Sequence, residues 1–200
     1  VGPGGDAYVR TVLRNLDRMA MLLDDISELS RIETGALRLD PVDLRVGEFL
    51  DDLAETAAPM AEARGGRIEV MAEPATRALA FRADPMRLAQ ALENLLSNAV
   101  KFSPEGSVIR LGAALTPEGL AWTVTDPGPG IREEDLPRIF ERFFRSPAVR
   151  AVPGTGLGLS IVKHLAVLMG GDVSVHSLPG RGATFTFRHP LTENEGVPPR

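Results

Sequence analysis

The chain has 200 residues, 44% of them hydrophobic and 24% charged, which is enough to bury a sizeable core in one domain, or in one domain with a small appendage. Lys and Arg total 22 against 27 Asp and Glu, a net charge of −5, which excludes bulk attraction to nucleic acid or to anionic lipid. The absence of cysteine excludes a disulfide framework and thiolate metal sites, and fits a reducing compartment.

Gly2-Pro3-Gly4-Gly5 reads as a loop, and Asp6 as the N-cap of a helix running from Tyr8 to Glu33. Val12, Leu16, Met19, Leu23 and Ile26 follow the 4-3-4-3 spacing of a bundle seam, widened by Leu22, Leu29 and Ile32. Gly35 suits the C-cap. A long helix with one broad apolar face cannot satisfy that face alone, so it needs partner helices or packs onto its own domain.

After Gly35 the pattern alternates. Ala36–Leu39 is a short strand candidate, Val46–Arg64 a helix closed by Gly65-Gly66, and Arg67–Ala72 a strand with Ile68 and Val70 on one face. Asp84 caps a helix through Val100, with Pro85 in its first turn, where a missing N–H is harmless. Val108–Leu115 and Leu120–Thr125 form a hairpin through Pro117-Glu118-Gly119. Ile131–Phe144 reads as mostly helical, and Leu157–Met169 as a helix ended by Gly170-Gly171. Asp172–Ser177 and Ala183–Arg188 make a closing hairpin, and Thr192–Arg200 a polar tail. The longest uncharged stretch, Ala151–Val162, spans twelve residues with three glycines and cannot cross a membrane as a helix.

Four stretches carry chemistry. In Asn94-Leu95-Leu96-Ser97-Asn98-Ala99-Val100-Lys101-Phe102, positions 94, 98 and 101 share one helix face. Two carboxamides and an ammonium on one stripe can hold a metal–phosphate group, or can simply face solvent. Asp126-Pro127-Gly128-Pro129-Gly130-Ile131 follows a strand. A carboxylate beside glycines, which allow close backbone approach, suits a flat base, and the same string suits an ordinary turn. Ile139-Phe140-Glu141-Arg142-Phe143-Phe144-Arg145 is compatible with an amphipathic helix. Gly154-Thr155-Gly156-Leu157-Gly158-Leu159-Ser160 is a glycine loop opening a helix, where successive N–H groups make an anion site. It matches neither a Walker loop nor a dinucleotide fingerprint.

In order and spacing the four stretches resemble the N, G1, F and G2 boxes of sensor histidine kinases, members of the ATP-binding superfamily shared with gyrase and heat-shock chaperones. The resemblance runs from about Tyr8 to Pro190. It implies an α/β (α+β) two-layer sandwich, a mixed and mostly antiparallel sheet backed by helices, behind one long bundle helix. Residues 1–35 would be the second helix of a dimerisation and histidine-phosphotransfer domain, 36–191 the catalytic ATP-binding domain, and 192–200 a flexible tail.

The resemblance also implies site roles. Asn98 would contribute its oxygen to Mg2+, while Asn94 and Lys101 contact phosphates and Phe102 lies along the adenine. Asp126 would accept from the adenine amino group, favouring ATP over GTP by about 10- to 100-fold. Gly128, Gly130 and Ile131 would line the base. Phe140 to Gly154 looks like a mobile lid, with Phe143 and Phe144 gripping the helical domain and Arg145 near the γ-phosphate. Gly154, Thr155, Gly156, Leu157, Gly158 and Leu159 would close over the phosphates. Arg145 and Lys101 would be the catalytic pair.

Two departures refine the expectation. ATP-hydrolysing members carry a Glu four residues before the magnesium Asn; here that residue is Asn94, and Glu93 is ~100° around the helix. Phosphoryl transfer then waits for a nucleophile from another domain. None of His164, His176 and His189 sits in an acceptor motif, so the phosphoacceptor helix is expected outside this chain. A first residue of Val rather than Met agrees with a piece of a longer protein. The partners implied are ATP, an acceptor-histidine helix in the same or a separate protein, a response-regulator aspartate and a second copy paired through the N-terminal helix. The location implied is cytoplasmic, the full-length protein being anchored in the inner membrane or not. The alternatives are a split kinase acting in trans and a non-catalytic nucleotide-sensing pseudokinase.

Overall fold

The computed structural model describes residues 34–149, Val152, residues 154–191 and positions scattered between Val9 and Arg31. Those scattered positions are helical, as the bundle spacing predicts. Val9, Val12, Leu13, Leu16, Met19, Leu23 and Ile26 are all exposed there. Of the described apolar residues in this stretch, Leu22 packs against the core. The remaining expectations for 1–33, including the Asp6 cap, Leu29 and Ile32, and those for Thr192–Arg200 lie outside the described residues.

The elements that follow are β1 (Val42–Arg45), α1 (Val46–Glu62), β2 (Arg67–Met71), α2 (Pro74–Arg77), β3 (Ala80–Ala83), α3 (Pro85–Phe102), β4 (Val108–Thr116), β5 (Gly119–Asp126), α4 (Gly158–Leu168), β6 (Asp172–Ser177) and β7 (Ala183–His189). One sheet has the order β2-β4-β5-β7-β6 and a second pairs β1 with β3. Within the larger sheet β2 and β4 are parallel and every other pair is antiparallel. With α1, α3 and α4 packed on that sheet, the architecture is the expected two-layer α/β sandwich. Among the described residues no helix is long and apolar enough to cross a membrane.

α3 forms as its signals predict. Asp84 Oδ1 accepts from Arg87 N–H at 3.1 Å, satisfying one of the amides a helix start leaves open. Leu88, Leu92, Leu95 and Leu96 are fully buried against the sheet. On β5, Trp122 is also fully buried and packs its ring edge-on to Phe49 of α1, and tilted to Phe81 of β3, at 5.3 Å in each case. This core fixes α3 over the sheet.

Two expectations are corrected. Ala36–Leu39 is not a strand: Leu37 is buried with its N–H donated to Arg31 O at 3.0 Å, and the first ladder forms later, Val42 opposite Ala83. The partner strand β3 and the single turn α2 have four residues each, too few to show a period. Ile131–Phe144 is not a helix either. Its regular part is a 3-10 turn, Leu136–Arg138, within a run of i→i−3 bonds from Asp135, Arg138 and Glu141. Pro137 has no N–H for an α-ladder, and the buried Asp135 carboxylate takes Arg132 Nε at 2.9 Å and Ser146 Oγ at 2.6 Å, organising the segment around a side chain.

Candidate functional site

The face of α3 that carries Asn94, Asn98 and Lys101 is half-buried and looks onto the glycine loop. Asn94 donates Nδ2 to Gln90 O at 3.1 Å, which turns Oδ1 toward α4. A Cβ placed on Gly158 would lie 3.0 Å from that oxygen, so glycine at 158 permits the approach. At the other end Lys101 Nζ lies 4.0 Å from where a Cβ of Gly154 would be. Glu93 is exposed and lines a different cavity of about 640 Å³ with Asp52, Leu53, Pro85 and Met86, which agrees with its place around the helix.

Gly156 has φ +77°, a backbone state open chiefly to glycine. Thr155 Oγ1 accepts from Leu157 N–H at 3.2 Å, and Ser160 donates its hydroxyl to Leu157 O at 2.7 Å. The ladder of α4 begins with Ile161 N–H to Leu157 O at 2.9 Å. The amides of Gly158, Leu159 and Ser160 therefore stand ahead of it, the arrangement in which a helix start attracts anions.

Asp126 ends β5 and is only 8% exposed. Its Oδ1 accepts from Gly128 N–H at 2.8 Å. Burial raises its pKa above the ordinary value, opposed by the N–H groups of Gly128 and Ala183. A Cβ on Gly128 would sit 2.6 Å from Asp126 Oδ1 and 3.2 Å from Phe102 O, so the end of α3 and this turn meet at Gly128. Gly130 has a different reason: φ is +72° and a Cβ would reach 2.1 Å from Leu178 O, so close packing on the β6–β7 turn requires it. Ile131 donates its N–H to Ser177 Oγ at 2.9 Å.

Two residues outside the motifs complete this wall. Ser177, buried at the end of β6, also donates to Gly182 O at 2.7 Å. Gly182 has φ +77°, and a Cβ there would lie 1.9 Å from Asp126 O. The only sequence signal was the glycine-containing hairpin loop, which does not indicate its contact with Asp126.

The segment before the glycine loop is stitched to it. Phe143 has φ +60°, rare outside glycine, and donates its N–H to Gly156 O at 2.9 Å. Phe143 is 61% exposed. Phe144 is half-buried under the Arg138 guanidinium, 4.5 Å from the ring centre. Arg145 passes its Cγ 3.2 Å from the Cβ position of Gly156 and donates to Val149 O at 3.3 Å and to Val152 O. Arg142 Nη2 lies 3.2 Å from His164 Nε2, and His164 Nδ1 lies 2.6 Å from Ser160 O. The carbonyl accepts, which makes Nδ1 the protonated nitrogen and leaves Nε2 to accept from Arg142. Arg132, Asp135, Arg138, Arg142 and Phe144 line a cavity of about 500 Å³ here.

The four stretches thus converge pairwise: Asn94 on Gly158, Lys101 on Gly154, Phe102 on Gly128, and Phe143 with Arg145 on Gly156. Among the described residues no three His, Cys, Asp or Glu gather to hold a metal.

Residues 83–193 match the family described as histidine kinase-, DNA gyrase B-, and HSP90-like ATPase. The chain is 34% identical over 190 residues to the sensor histidine kinase RcsC of Escherichia coli K12, covering 94% of this chain and 20% of RcsC. It is 37% identical over 186 residues to the sensor-like histidine kinase SenX3 of Mycobacterium tuberculosis H37Rv, covering 92% and 44%. The crystal structure of full-length ShkA in complex with AMPPNP superposes with a TM-score of 0.82 at 31% identity, covering 100% of this chain and 41% of ShkA. The chain therefore spans less than half the length of each of these relatives.

Proposed function

Since the chain belongs to the histidine kinase-, DNA gyrase B-, and HSP90-like ATPase family, with sensor histidine kinases as its relatives, we propose that it binds Mg·ATP between α3, Asp126 and the glycine loop and donates the γ-phosphoryl to a histidine outside residues 34–191. The observation that carries this reading is the convergence of Asn94 on Gly158 and Lys101 on Gly154, opposite a buried carboxylate.

The donor set fits the magnesium. A carboxamide oxygen is a hard, neutral ligand, suited to an ion that keeps waters and takes phosphate oxygens. Asn98 would hold it, and when bound it screens phosphate charge. Asp126 accepts from the exocyclic amino group of adenine and Phe102 covers the base. Asn94 and Lys101 bind phosphate oxygens, joined by the amides at the start of α4. Arg145 neutralises charge on the transferring group once the lid closes. The bond from phosphorus to the β,γ-bridging oxygen breaks, one to an imidazole nitrogen forms, and ADP leaves. With Asn at 94 no resident carboxylate activates water, so transfer to histidine outruns hydrolysis.

Two of the chain's histidines are engaged structurally. His164 holds Arg142, and His189 is buried with Nε2 3.0 Å from Arg82 O. Residues 36–191 form the nucleotide domain and 192–200 a tail. Residues 1–35 supply one helix of a bundle, whose exposed Val12, Leu16, Met19, Leu23 and Ile26 pack against an acceptor helix and a second copy. The phosphoryl then passes to a response-regulator aspartate, in the cytoplasm.

Calorimetric titration of Mg·ATP tests the site. Asn98→Ala and Asp126→Ala should each weaken binding at least about tenfold, and EDTA should abolish the Asn98-dependent part. Unchanged affinity in both variants refutes the assignment. Labelled ATP should leave no acid-labile phosphohistidine on the chain alone and should label an added acceptor bundle.

A further inference from the structure

The end of α3 carries Lys101 and Phe102, and what fixes it comes from a distant part of the sequence. Past Ala99, whose carbonyl accepts from Ser103 N–H at 3.1 Å, the helix has no later turn to satisfy its last carbonyls. Arg64, half-buried beyond the end of α1, reaches across: Nη1 donates to Lys101 O at 2.9 Å and Nη2 to Ser103 O at 3.1 Å. The two carbonyls bracket Phe102. A guanidinium fork matches two acceptors at once, and its charge suits the negative end of a helix dipole.

Arg64 is itself held on a rigid base. Its carbonyl accepts from Gly106 N–H at 2.9 Å, and Arg67 N–H donates to Ser107 O at 3.1 Å. Between them Gly66 lies so close to Ser107 that a Cβ would fall 2.4 Å from its carbonyl oxygen. On the far side the Phe102 carbonyl rests on Gly128, beside Asp126. The end of α3 is therefore caught between Arg64 and the Asp126 turn.

We propose that Arg64 is a positioning residue of the nucleotide site: by clamping the carbonyls on both sides of Phe102, it sets the Phe102 backbone against the Asp126–Gly128 turn and the Lys101 ammonium opposite Gly154. The inference rests on the Mg·ATP reading of that site. Arg64 touches no ligand and acts through the residues it holds. Lysine, a point charge on a flexible stem, reaches one carbonyl and does part of the work.

The test is calorimetric titration of Mg·ATP into the full chain and its Arg64→Ala, Arg64→Gln and Arg64→Lys variants, at a temperature where thermal melts show each fully folded. The expected result is affinity weakened about tenfold in Arg64→Ala and Arg64→Gln, and about threefold in Arg64→Lys. In a Phe102→Ala background the loss from Arg64→Ala should shrink to about threefold or less, because one of the two residues it positions is gone. A merely structural cap would lower the melting temperature and leave the affinity of the folded protein unchanged. Affinity within twofold of the parent in the folded variants, or a full additive loss in the Phe102→Ala background, overturns the proposal and leaves the ATP site standing. Failure of the parent chain to bind Mg·ATP overturns both. If Arg64→Ala does not fold, the Gln and Lys variants decide by the same criteria.

Discussion

Helix α3 and the segment from Ile131 to Val149 both supply side chains to the candidate site, yet they are held by different means. α3 is fixed by burial: Leu88, Leu92, Leu95 and Leu96 are fully enclosed, Asp84 caps one end and Arg64 clamps the other. The later segment has two 3-10 turns, Leu136–Arg138 and Pro147–Val149, an exposed Phe143, and ties to the rest that include the buried Ile139, the Phe140–Phe185 edge contact and the Phe143–Gly156 and Arg142–His164 hydrogen bonds. Burial resists local opening, whereas a few hydrogen bonds at the surface do not. The molecule thus pairs a wall held by a continuous apolar core with a segment that buries fewer side chains, Ile139 and Asp135 among them.

The largest effect should separate the two regions directly. Leu96→Ala deletes a fully buried side chain and should cost about 2–5 kcal/mol of global stability. Phe144→Ala, half-buried and stacked on Arg138, should cost about 1 kcal/mol. Urea melts measure both; equal losses would make the later segment part of the core and break the comparison.

A smaller effect is expected at the junction. Gly156→Ala forces alanine to φ +77° with its Cβ 3.0 Å from the Phe143 backbone, a local cost of about 1–2 kcal/mol. Hydrogen exchange at the Phe143 amide should quicken by about tenfold while amides within α3 keep their rates. Smaller still, His164→Ala removes the acceptor of Arg142 at a cost of about 0.5–1 kcal/mol, visible as faster proteolysis between Ile131 and Val149 and hardly at all in the global melt.

The same division governs what could be read from sequence. α3 was legible because its signals are local: Asp84 and Pro85 at the start, leucines on one face, polar residues on another. The order of the four stretches implied that they meet, and pairwise they do. The later segment was misread because Leu136, Ile139, Phe140 and Phe143 fall at helical spacing while Pro137 and the Asp135 cluster impose tighter turns. Ser177, Gly182 and Arg64 were missed for another reason. Each acts on a residue between 37 and 56 positions away or across a hairpin, and neither periodicity nor capping encodes such contacts.

Two aspartates carry the comparison into pH. Asp126, in the wall, has its pKa raised by burial, so the native state binds its proton more tightly than the unfolded chain does. Its contribution is most favourable below the ordinary value of 3.8 and is lost as pH rises through the raised one; at neutral pH the ionised group opposes folding. Asp135, in the later segment, has its pKa lowered by the Ser146 hydroxyl and then by Arg132. Its contribution is present above 3.8 and disappears as pH falls through the lowered value. Asp126→Asn should therefore raise the melting temperature at pH 7 relative to the parent, with the gain shrinking toward acid, while weakening ATP binding. Asp135→Asn should increase proteolysis of the 131–149 segment at pH 7 and make little difference in strong acid. A melting temperature lowered by Asp126→Asn at neutral pH would mean that the wall depends on this charge. The carboxylate would then be a structural anchor, and not a group kept at a cost for the ligand it meets.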